Sequence, residues 1–434
     1  MPASEPGSRA APEAHRVVEA VWRIESPRLI ATLTRLVGDV GQAEDLAQDA
    51  FVAALEKWPV SGVPDKPGAW LMATAKHRAI DQLRRRTLVA RKHQVLAPEL
   101  EAGREAAVAD LDAQLDDAVG DDLLRLVFIA CHPVLSREAR TALTLRLLGG
   151  LTTAEIARAF LSNEPTIAQR IVRAKRSLAE ARVPFEVPRG EEFQARLSSV
   201  LEVIYLIFNE GYAATAGEDL MRPALCDEAL RLGRILGGLA PGEPEVHGLV
   251  ALMEIQASRT RARTGRSGEP ILLLDQDRAR WDRLLIRRGL AALERAEALG
   301  GAEGWYALQA AIAACHARAP TAAATDWARI AALYETLARI APSPVVELNR
   351  AVAVSMASGP AAGLELVDAL ATDPALREYH LLPSVRGDLL ARLGRPAEAR
   401  PEFERAASLT RNERERTLLL ARAAECGAAS ETTA

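Results

Sequence analysis

Residues 151–182 read LTTAEIARAFLSNEPTIAQRIVRAKRSLAEAR, and this stretch predicts two helices joined by a tight turn. Apolar spacing favours a short first helix over about residues 153–160. Pro165 suits the first turn of a second helix, with Asn163 or Glu164 as its N-cap. The pattern is typical of a helix-turn-helix, so helix is the first expectation for the chain on either side of it.

The second helix of this stretch has two distinct faces. The apolar face repeats at i, i+4, i+7 and i+11, as a core-facing stripe does. Its members are Ile167, Ile171, Ala174 and Leu178. The polar face can reach base edges in a major groove, since Arg and Gln make bidentate contacts there. Its members are Thr166, Gln169, Arg170 and Arg173. Lys175 and Arg176 are better placed to meet phosphates. An ordinary basic surface helix would show the same charges, so the pattern alone leaves both interpretations open.

The composition extends the helical expectation to the whole chain of 434 residues, which is 49% hydrophobic and only 4% aromatic. Ala, Leu and Arg dominate, and no alternating β-branched run marks a strand. The net charge of −4 conceals a basic segment (123–190, eleven Lys/Arg against five Asp/Glu) that follows an acidic one (94–122, nine acids against one base). This distribution favours local contact with nucleic acid over a uniformly basic coat.

The sequence disfavours metal sites, disulfide bonds, a signal peptide and a membrane span. The four cysteines are far apart and form no C-x-x-C pair, which argues against a zinc ribbon or a disulfide framework. We expect Cys131 to be a buried thiol, and we expect no bound metal and no cofactor. The N-terminus has no apolar signal-peptide core, and the longest apolar stretch, near 197–208, is too short to span a bilayer. A cytoplasmic protein without membrane contact is expected.

A second pattern lies nearer the N-terminus, in GDVGQAEDLAQDAFVAALEKW (38–58) and PGAWLMATAKHRAIDQLRRR (67–86). The first segment predicts a helix with alanines on one side and a polar stripe on another. That stripe comprises Asp45, Gln48, Asp49 and Glu56. The second segment predicts a helix that ends in three arginines. Prolines and glycines in PVSGVPDKPG (59–68) predict a loop between the two helices.

These two segments resemble conserved region 2 of the extracytoplasmic-function sigma factors, which are bacterial RNA polymerase subunits. The matching positions, in order, are Ala43-Glu44-Asp45, Gln48-Asp49, Phe51, Trp70-Leu71, Ala75-Lys76, Asp81 and Arg84. Residues 133–182 resemble region 4 of the same family, so both halves occur in the right order over residues 15–182. His77 departs from the pattern, because the family commonly has Asn there.

The resemblance implies specific contacts. Asp45, Gln48 and Asp49 would dock on the β′ clamp helices of core RNA polymerase, and region 4 would meet the β flap. Ser61–Lys66 would form the rim of the loop that captures a flipped −10 base. The melted strand would be bordered by Trp70, His77, Arg84 and Arg85. The −35 element would be read by Thr166, Gln169, Arg170 and Arg173, with Lys175 and Arg176 on phosphates. A solvated helix face for the acidic stripe, and a core position for Trp70, are the competing interpretations.

The sequence thus predicts an all-α protein with two small helical sigma domains, an acidic linker and a large helical repeat domain. The predicted boundaries are a disordered 1–13, region 2 over 14–93, the linker over 94–122, region 4 over 123–183 and the repeat domain over 191–434. SGPAAGLELVDAL (358–370) is echoed by LGRPAEARPEFERA (393–406), a period that fits stacked helical hairpins. The tail resembles that of a subgroup with a tetratricopeptide-like extension.

Two alternatives stay open. An operator-binding regulator with a helical-repeat sensor would share the helix-turn-helix and the tail but would not need the 38–86 segments. The other alternative is an enzyme with a site near Asp275, Asp277 and Trp281. Carboxylates at positions i and i+2 of a helix point apart, which disfavours a shared metal ion. We favour roles for these acids in capping or in salt bridges to Arg278 or Arg280. No catalytic motif such as a P-loop or G-x-S-x-G occurs, so we expect no enzyme. We expect the tail to regulate activity and to bind a protein or peptide.

Overall fold

The computed structural model describes the backbone of residues 7–93, 119–160, 162–214, 220–266 and 268–433, and the side chains of residues 17–82, 122–160, 162–214, 220–266 and 268–428. Regular structure in these residues is helical, apart from one isolated bridge between Thr264 and Pro270. The predicted all-α class is therefore confirmed. The chain divides into two compact units, unit 1 (Met1–Val203) and unit 2 (Ile204–Ala434).

Unit 1 holds both segments that carry the sequence motifs. Its helices are α1 (Gly7–Val37), α2 (Val40–Ser61), α3 (Pro67–His93), α4 (Val119–Ala130), α5 (Arg137–Leu147), α6 (Thr153–Ala159), α7 (Glu164–Glu180) and the first part of α8 (Gly190–Tyr212). Local capping defines several of these starts. The Asp39 side chain accepts a hydrogen bond from the Gln42 amide at the start of α2, and Ser136 does the same for Ala139 at α5.

The core of unit 1 forms where α1 packs against α2, α3 and α4. Leu29, Ile30 and Leu33 of α1 are fully buried. The alanine face predicted for α2 is buried as well, and it comprises Ala43, Ala47, Ala50 and Ala54. Small side chains on that face let the two helices approach closely, so the alanine spacing explains why α2 and α1 pack together.

The predicted start of the loop after α2 needs correction. Helix α2 continues through Pro59 to Ser61, so the loop starts at Gly62, whose φ of 83° and N–H bond to the Trp58 carbonyl end the helix. A proline near a helix end gives up only its own N–H bond, which the last turn tolerates. The acidic linker lies mostly outside the described residues, but its last part is helical because α4 starts at Val119.

Unit 2 is a series of helices, with short 3₁₀ turns between some of them. These helices are the remainder of α8, α9 (Pro223–Leu239), α10 (Pro244–Ala257), α11 (Arg283–Ala298), α12 (Trp305–Arg318), α13 (Trp327–Ile340), α14 (Pro344–Ser358), α15 (Pro360–Leu370), α16 (Leu381–Arg392), α17 (Pro396–Leu409) and α18 (Glu413–Thr433). The two echoed segments each start a helix with proline in its first turn, at Pro360 and Pro396. Consecutive helices pack on one another, which buries side chains such as Phe403 completely.

Two further properties concern the whole described chain. Among its residues, no helix combines the length and the apolarity that a bilayer span requires.

All four cysteines are buried free thiols, as expected for Cys131. Burial raises the pKa of Cys131 and of Cys226 to about 12, which favours the protonated thiol at neutral pH.

Candidate nucleic-acid interface

Helix α7 presents the polar face that its sequence predicts. Asn163 is the N-cap, and its side chain accepts a hydrogen bond of 2.8 Å from the Thr166 amide. The apolar stripe is buried in full, comprising Ile167, Ile171, Ala174 and Leu178. On the opposite side Thr166, Gln169 and Arg173 are exposed, and Arg170 is half-buried. The predicted division of this helix into a core face and a polar face is confirmed.

The helix-turn-helix is held by local bonds in its first helix. A capping box closes the start of α6, in which the Glu155 amide donates to Thr152 Oγ1 and the Thr152 amide donates to Glu155 Oε2. Ile156 and Ala157 are buried, and α6 packs against α7. Asn163 rather than Glu164 is the cap, which resolves that alternative. The result is a rigid platform that fixes the direction of the α7 polar face.

The two predicted phosphate contacts have different surroundings. Arg176 is exposed and pairs with Glu180 at 2.6 Å along the same helix. Lys175 is only 19% exposed, and its Nζ forms an ion pair with Glu44 of α2. In this arrangement Lys175 faces the other motif-bearing segment of the chain instead of solvent, which the helical periodicity did not predict.

Glu44 is the centre of a buried charge cluster between α2 and the helix-turn-helix. It is 2% exposed, and besides Lys175 it pairs with Arg146 Nε at 2.6 Å and accepts a bond of 2.7 Å from Gln48 Nε2. Burial alone would raise the pKa of Glu44, but the charges of Lys175 and Arg146 outweigh it and hold the pKa below its ordinary value. Glu44 is therefore ionised and binds two basic residues of the downstream segment.

Further ion pairs connect α1 to later helices of unit 1. The buried Asp122 carboxylate receives Arg35 Nε at 2.8 Å and Arg125 Nη1 at 2.6 Å. Asp122 is thus not part of a free tether. Arg23 of α1 also pairs with Glu155 of the helix-turn-helix. Glu44 lies on the apolar side of α2, and an acid at such a position could have been recognised in the sequence as unusual. The basic partners of Glu44 could not, because they lie about a hundred positions away.

The predicted polymerase-binding stripe lies on the outer side of α2. Asp45 and Asp49 are exposed, and Gln48 is half-buried through its bond to Glu44. Asp49 also lies 3.6 Å from Arg78 Nη1 of α3, an exposed pair of small energetic weight. Asp45 and Asp49 are therefore open to solvent, and Gln48 is partly committed to the buried cluster.

The residues predicted to border a melted strand are spread along α2, the loop and α3. Ser61 belongs to the last turn of α2, where its hydroxyl donates to the Lys57 carbonyl, and Lys66 is exposed at the loop end. Trp70 is half-buried, with its ring 5.5 Å edge-on from Trp58. His77 is exposed, and its Nδ1 lies 2.8 Å from the Ala73 carbonyl. The side chains of Arg84 and Arg85 lie outside the described residues.

In the segment considered for an enzyme site, Asp277 and Arg278 both bond to backbone groups. Asp277 caps a short 3₁₀ turn by accepting a bond of 2.9 Å from the Ala279 amide, as the capping interpretation predicted. The predicted salt bridge to Arg278 is wrong, because that guanidinium is buried and donates instead to the Ala319 carbonyl at 2.7 Å and to the His316 carbonyl. No group of three potential ligands for a metal occurs among the described residues.

Comparisons with known sequences agree with this division of the chain. Residues 22–88 match the Sigma-70 region 2 family, and residues 125–178 match the Sigma-70 region 4 family. Residues 196–297 match a family of unknown function, DUF6596. The two motif-bearing segments therefore match established families, and the segment at the start of unit 2 matches one without an assigned role.

Relatives of this chain support the same conclusion. It is 43% identical over 388 residues to uncharacterized protein R00370 of Rhizobium meliloti, covering 89% of this chain and 90% of that protein. It is 30% identical over 173 residues to the probable ECF RNA polymerase sigma factor SigI of Mycobacterium tuberculosis, covering 40% of this chain and 58% of SigI. It is 30% identical over 157 residues to the ECF RNA polymerase sigma factor SigK of Mycobacterium ulcerans, covering 35% of this chain and 78% of SigK. The chain therefore belongs to the extracytoplasmic-function family of RNA polymerase sigma factors.

Proposed function

We propose that this sigma factor directs promoter-specific initiation by reading a −35 element with the polar face of α7. The observation that carries the proposal is the contrast within α7 between a fully buried apolar stripe and the exposed Thr166, Gln169 and Arg173. Arg170, half-buried beside them, completes the reading surface. Arg and Gln side chains read guanine and adenine edges in a major groove, which fits a recognition helix.

Contact with core RNA polymerase is assigned to the acidic stripe of α2. Asp45 and Asp49 are exposed there, and Gln48 lies beside them. We assign this stripe to the β′ clamp and the helix-turn-helix to the β flap, as the family resemblance implies. An exposed acidic helix face is well suited to a basic partner surface, because such charges steer association.

Strand opening at the −10 element is assigned to α3 and the preceding loop. Ser61 and Lys66 lie at the two ends of that loop, and the half-buried Trp70 and exposed His77 follow in α3. Arg84 and Arg85 would supply positive charge further along. Aromatic stacking combined with cationic contacts is the usual means of binding a single strand.

Phosphate binding by Lys175 requires a change in unit 1. Its ammonium group is held by the buried Glu44 carboxylate, so it reaches a phosphate only after that ion pair breaks. Arg176, which is exposed, has no such requirement. We therefore propose that the ion pairs of Glu44 with Lys175 and Arg146 represent a resting arrangement, which promoter binding breaks.

Unit 2 is assigned a regulatory role in the cytoplasm, as a tetratricopeptide-like repeat domain that contacts a protein or a peptide. Its paired helices and the repeated proline-initiated helices at Pro360 and Pro396 support that assignment. Such repeats expose extended surfaces, and those surfaces commonly bind other chains.

Transcription with purified core polymerase tests the central proposal. The full chain should give initiation from a promoter with its −35 element, and Arg173→Ala should weaken promoter recognition by about 1–3 kcal/mol, the usual value for one base contact. Arg339→Ala, an exposed arginine of unit 2, is the matched control and should leave initiation unchanged. Tight binding to duplex DNA without polymerase, and no initiation with it, would instead favour an operator-binding regulator.

A further inference from the structure

Unit 2 contains a ladder in which guanidinium groups alternate with aromatic rings, and its inner part is buried whereas Arg263 and Tyr212 are half-buried. Its members, in spatial order, are Arg263, Tyr212, Arg259, Trp281 and Arg278. Arg263 Cζ lies 3.7 Å from the Tyr212 ring centre, and Arg278 Cζ lies 4.8 Å from the Trp281 ring centre. Arg259 Cζ lies 5.8 Å from both rings, which places it in the middle of this arginine–aromatic cluster. Three cations thus share one interior region.

The two outer arginines are balanced by helix ends. Arg278 donates to the carbonyls of His316 and Ala319 at the end of α12, and to Thr325 Oγ1 at 3.1 Å. Arg263 donates to the Tyr212 carbonyl at the end of α8. The carbonyl end of a helix carries a partial negative charge, so it stabilises a guanidinium there. This contact offsets part of the charge of each outer arginine, and the Glu415 carboxylate also interacts favourably with Arg263.

Arg259 has no comparable partner. It is 9% exposed, and its hydrogen bond goes to the neutral Gln256 side chain. Among the described residues no carboxylate forms an ion pair with Arg259 or with Arg278. A buried cation without a counter-charge is strongly unfavourable, whereas the same cation with a bound anion is not. The charge balance of the cluster is therefore incomplete.

Unpartnered polar atoms point to the same deficit. Arg259 Nε, Arg278 Nε, Trp281 Nε1 and His316 Nδ1 are buried without a hydrogen-bond partner in the described structure. The four residues are 9%, 8%, 3% and 7% exposed, respectively. The Arg and Trp atoms are all N–H donors, so the cluster lacks acceptor oxygens rather than donors. Buried polar groups are normally satisfied, which makes a group of orphaned donors beside excess positive charge a sign of a ligand.

We propose that the arginine–aromatic cluster binds a phosphate oxyanion, with Arg259, Arg278 and Trp281 as the donors. Phosphate fits better than a carboxylate, because a dianion matches two guanidinium groups and offers enough oxygens for several N–H donors. Both rings of the cluster already stack against arginines, so recognition rests on charge and hydrogen bonding. The ligand is either free inorganic phosphate or the phosphoryl group of a small monoester. This site does not depend on the proposed −35 readout.

The full-length protein, in a buffer free of phosphate at fixed ionic strength, tests the site by calorimetric titration with inorganic phosphate and with a sugar monophosphate. Saturable binding of either is expected. Tighter binding of the monoester would identify a phosphorylated metabolite, and equal or tighter binding of inorganic phosphate would identify the free ion. The absence of saturable binding by both would overturn the proposal.

Variants separate a specific site from general attraction of anions. Arg259→Gln should weaken phosphate binding at least tenfold, since it removes the cation between the two rings. Arg261→Gln is the matched control, because Arg261 is exposed and lies two positions away on the same turn. Equal losses in the two variants would contradict a built site. If Arg259→Gln fails to fold, Trp281→Phe keeps an aromatic ring but deletes the Nε1 donor and should still weaken binding measurably.

His316 provides a readout that does not depend on affinity. Burial, together with Arg259 and Arg278, lowers the pKa of His316 to about 4. A bound dianion would offset those two cations, so the imidazole pKa measured by NMR should rise when phosphate is added. A pKa that does not move at saturating phosphate would place the anion elsewhere and overturn the assignment of the site.

Discussion

Two charge clusters, one in each unit of this sigma factor, handle buried charge in opposite ways. In unit 1 a single carboxylate, Glu44, is 2% exposed and paired with two cations, Arg146 and Lys175. In unit 2 two buried cations, Arg259 and Arg278, have no ion-paired carboxylate among the described residues. A buried charge whose counter-charges belong to the chain holds parts of that chain together. A buried charge without such a counter-charge requires an ion or ligand from solution. We therefore expect removal of the Glu44 charge to destabilise unit 1 and removal of the Arg259 charge to leave unit 2 nearly as stable or more so.

Glu44→Gln should show the largest effect. It keeps the size of the side chain but leaves Arg146 and Lys175 near a neutral amide, and breaking a buried pair in this way destabilises by about 3 kcal/mol. Hydrogen–deuterium exchange can measure this change in unit 1 alone, through the amides of α2 and α7. Glu56→Gln, an exposed position of the same helix, is the control and should change exchange little. Equal protection in the two variants would show that Glu44 does not hold the two segments together.

The pH dependence of that effect follows from the direction of the Glu44 pKa. Because the pKa of Glu44 is lowered on folding, its contribution to stability is complete above the unfolded value of 4.5 and is lost as the pH falls through the folded value. The stability difference between wild type and Glu44→Gln should therefore be constant near neutral pH and should shrink below about pH 4.5. Urea denaturation at a series of pH values measures it. A difference that stays constant to pH 3 or grows on acidification would contradict the ion-pair explanation.

Local sequence patterns predicted the surfaces of this protein better than its buried charge clusters. The faces of α7 follow from a period of 3.6 residues, so Ile167 and Arg173 could be assigned to opposite sides from the sequence alone. The partners of Glu44 depend on the packing of α2 against residues about a hundred positions later, which no local pattern encodes. Arg259 poses the same problem, because its aromatic neighbours Tyr212 and Trp281 lie 47 positions before it and 22 after it.

The end of α2 was predicted incorrectly for a local reason. Pro59 and Gly62 together suggested a loop from Pro59 onward, but proline interrupts a helix only through its missing N–H and a clash with the preceding turn. Near the C-terminus of α2 that loss is small, and the helix continues to Ser61 before Gly62 ends it. The set of residues proposed to contact the −10 element does not change, although Ser61 is helical rather than part of the loop.

Arg259→Gln should have the smallest effect on stability. The sign of that stability change distinguishes the Arg259 cluster from the Glu44 cluster. Replacing an unpaired buried cation with a neutral side chain removes a desolvation penalty, so stability without phosphate should stay within about 1 kcal/mol of wild type or increase. Saturating phosphate should stabilise wild type and leave Arg259→Gln unchanged, since only a ligand that binds the folded state adds stability. Thermal denaturation with and without phosphate measures both quantities. A loss near 3 kcal/mol without phosphate would mean that Arg259 already has a counter-charge within the chain, as Glu44 has.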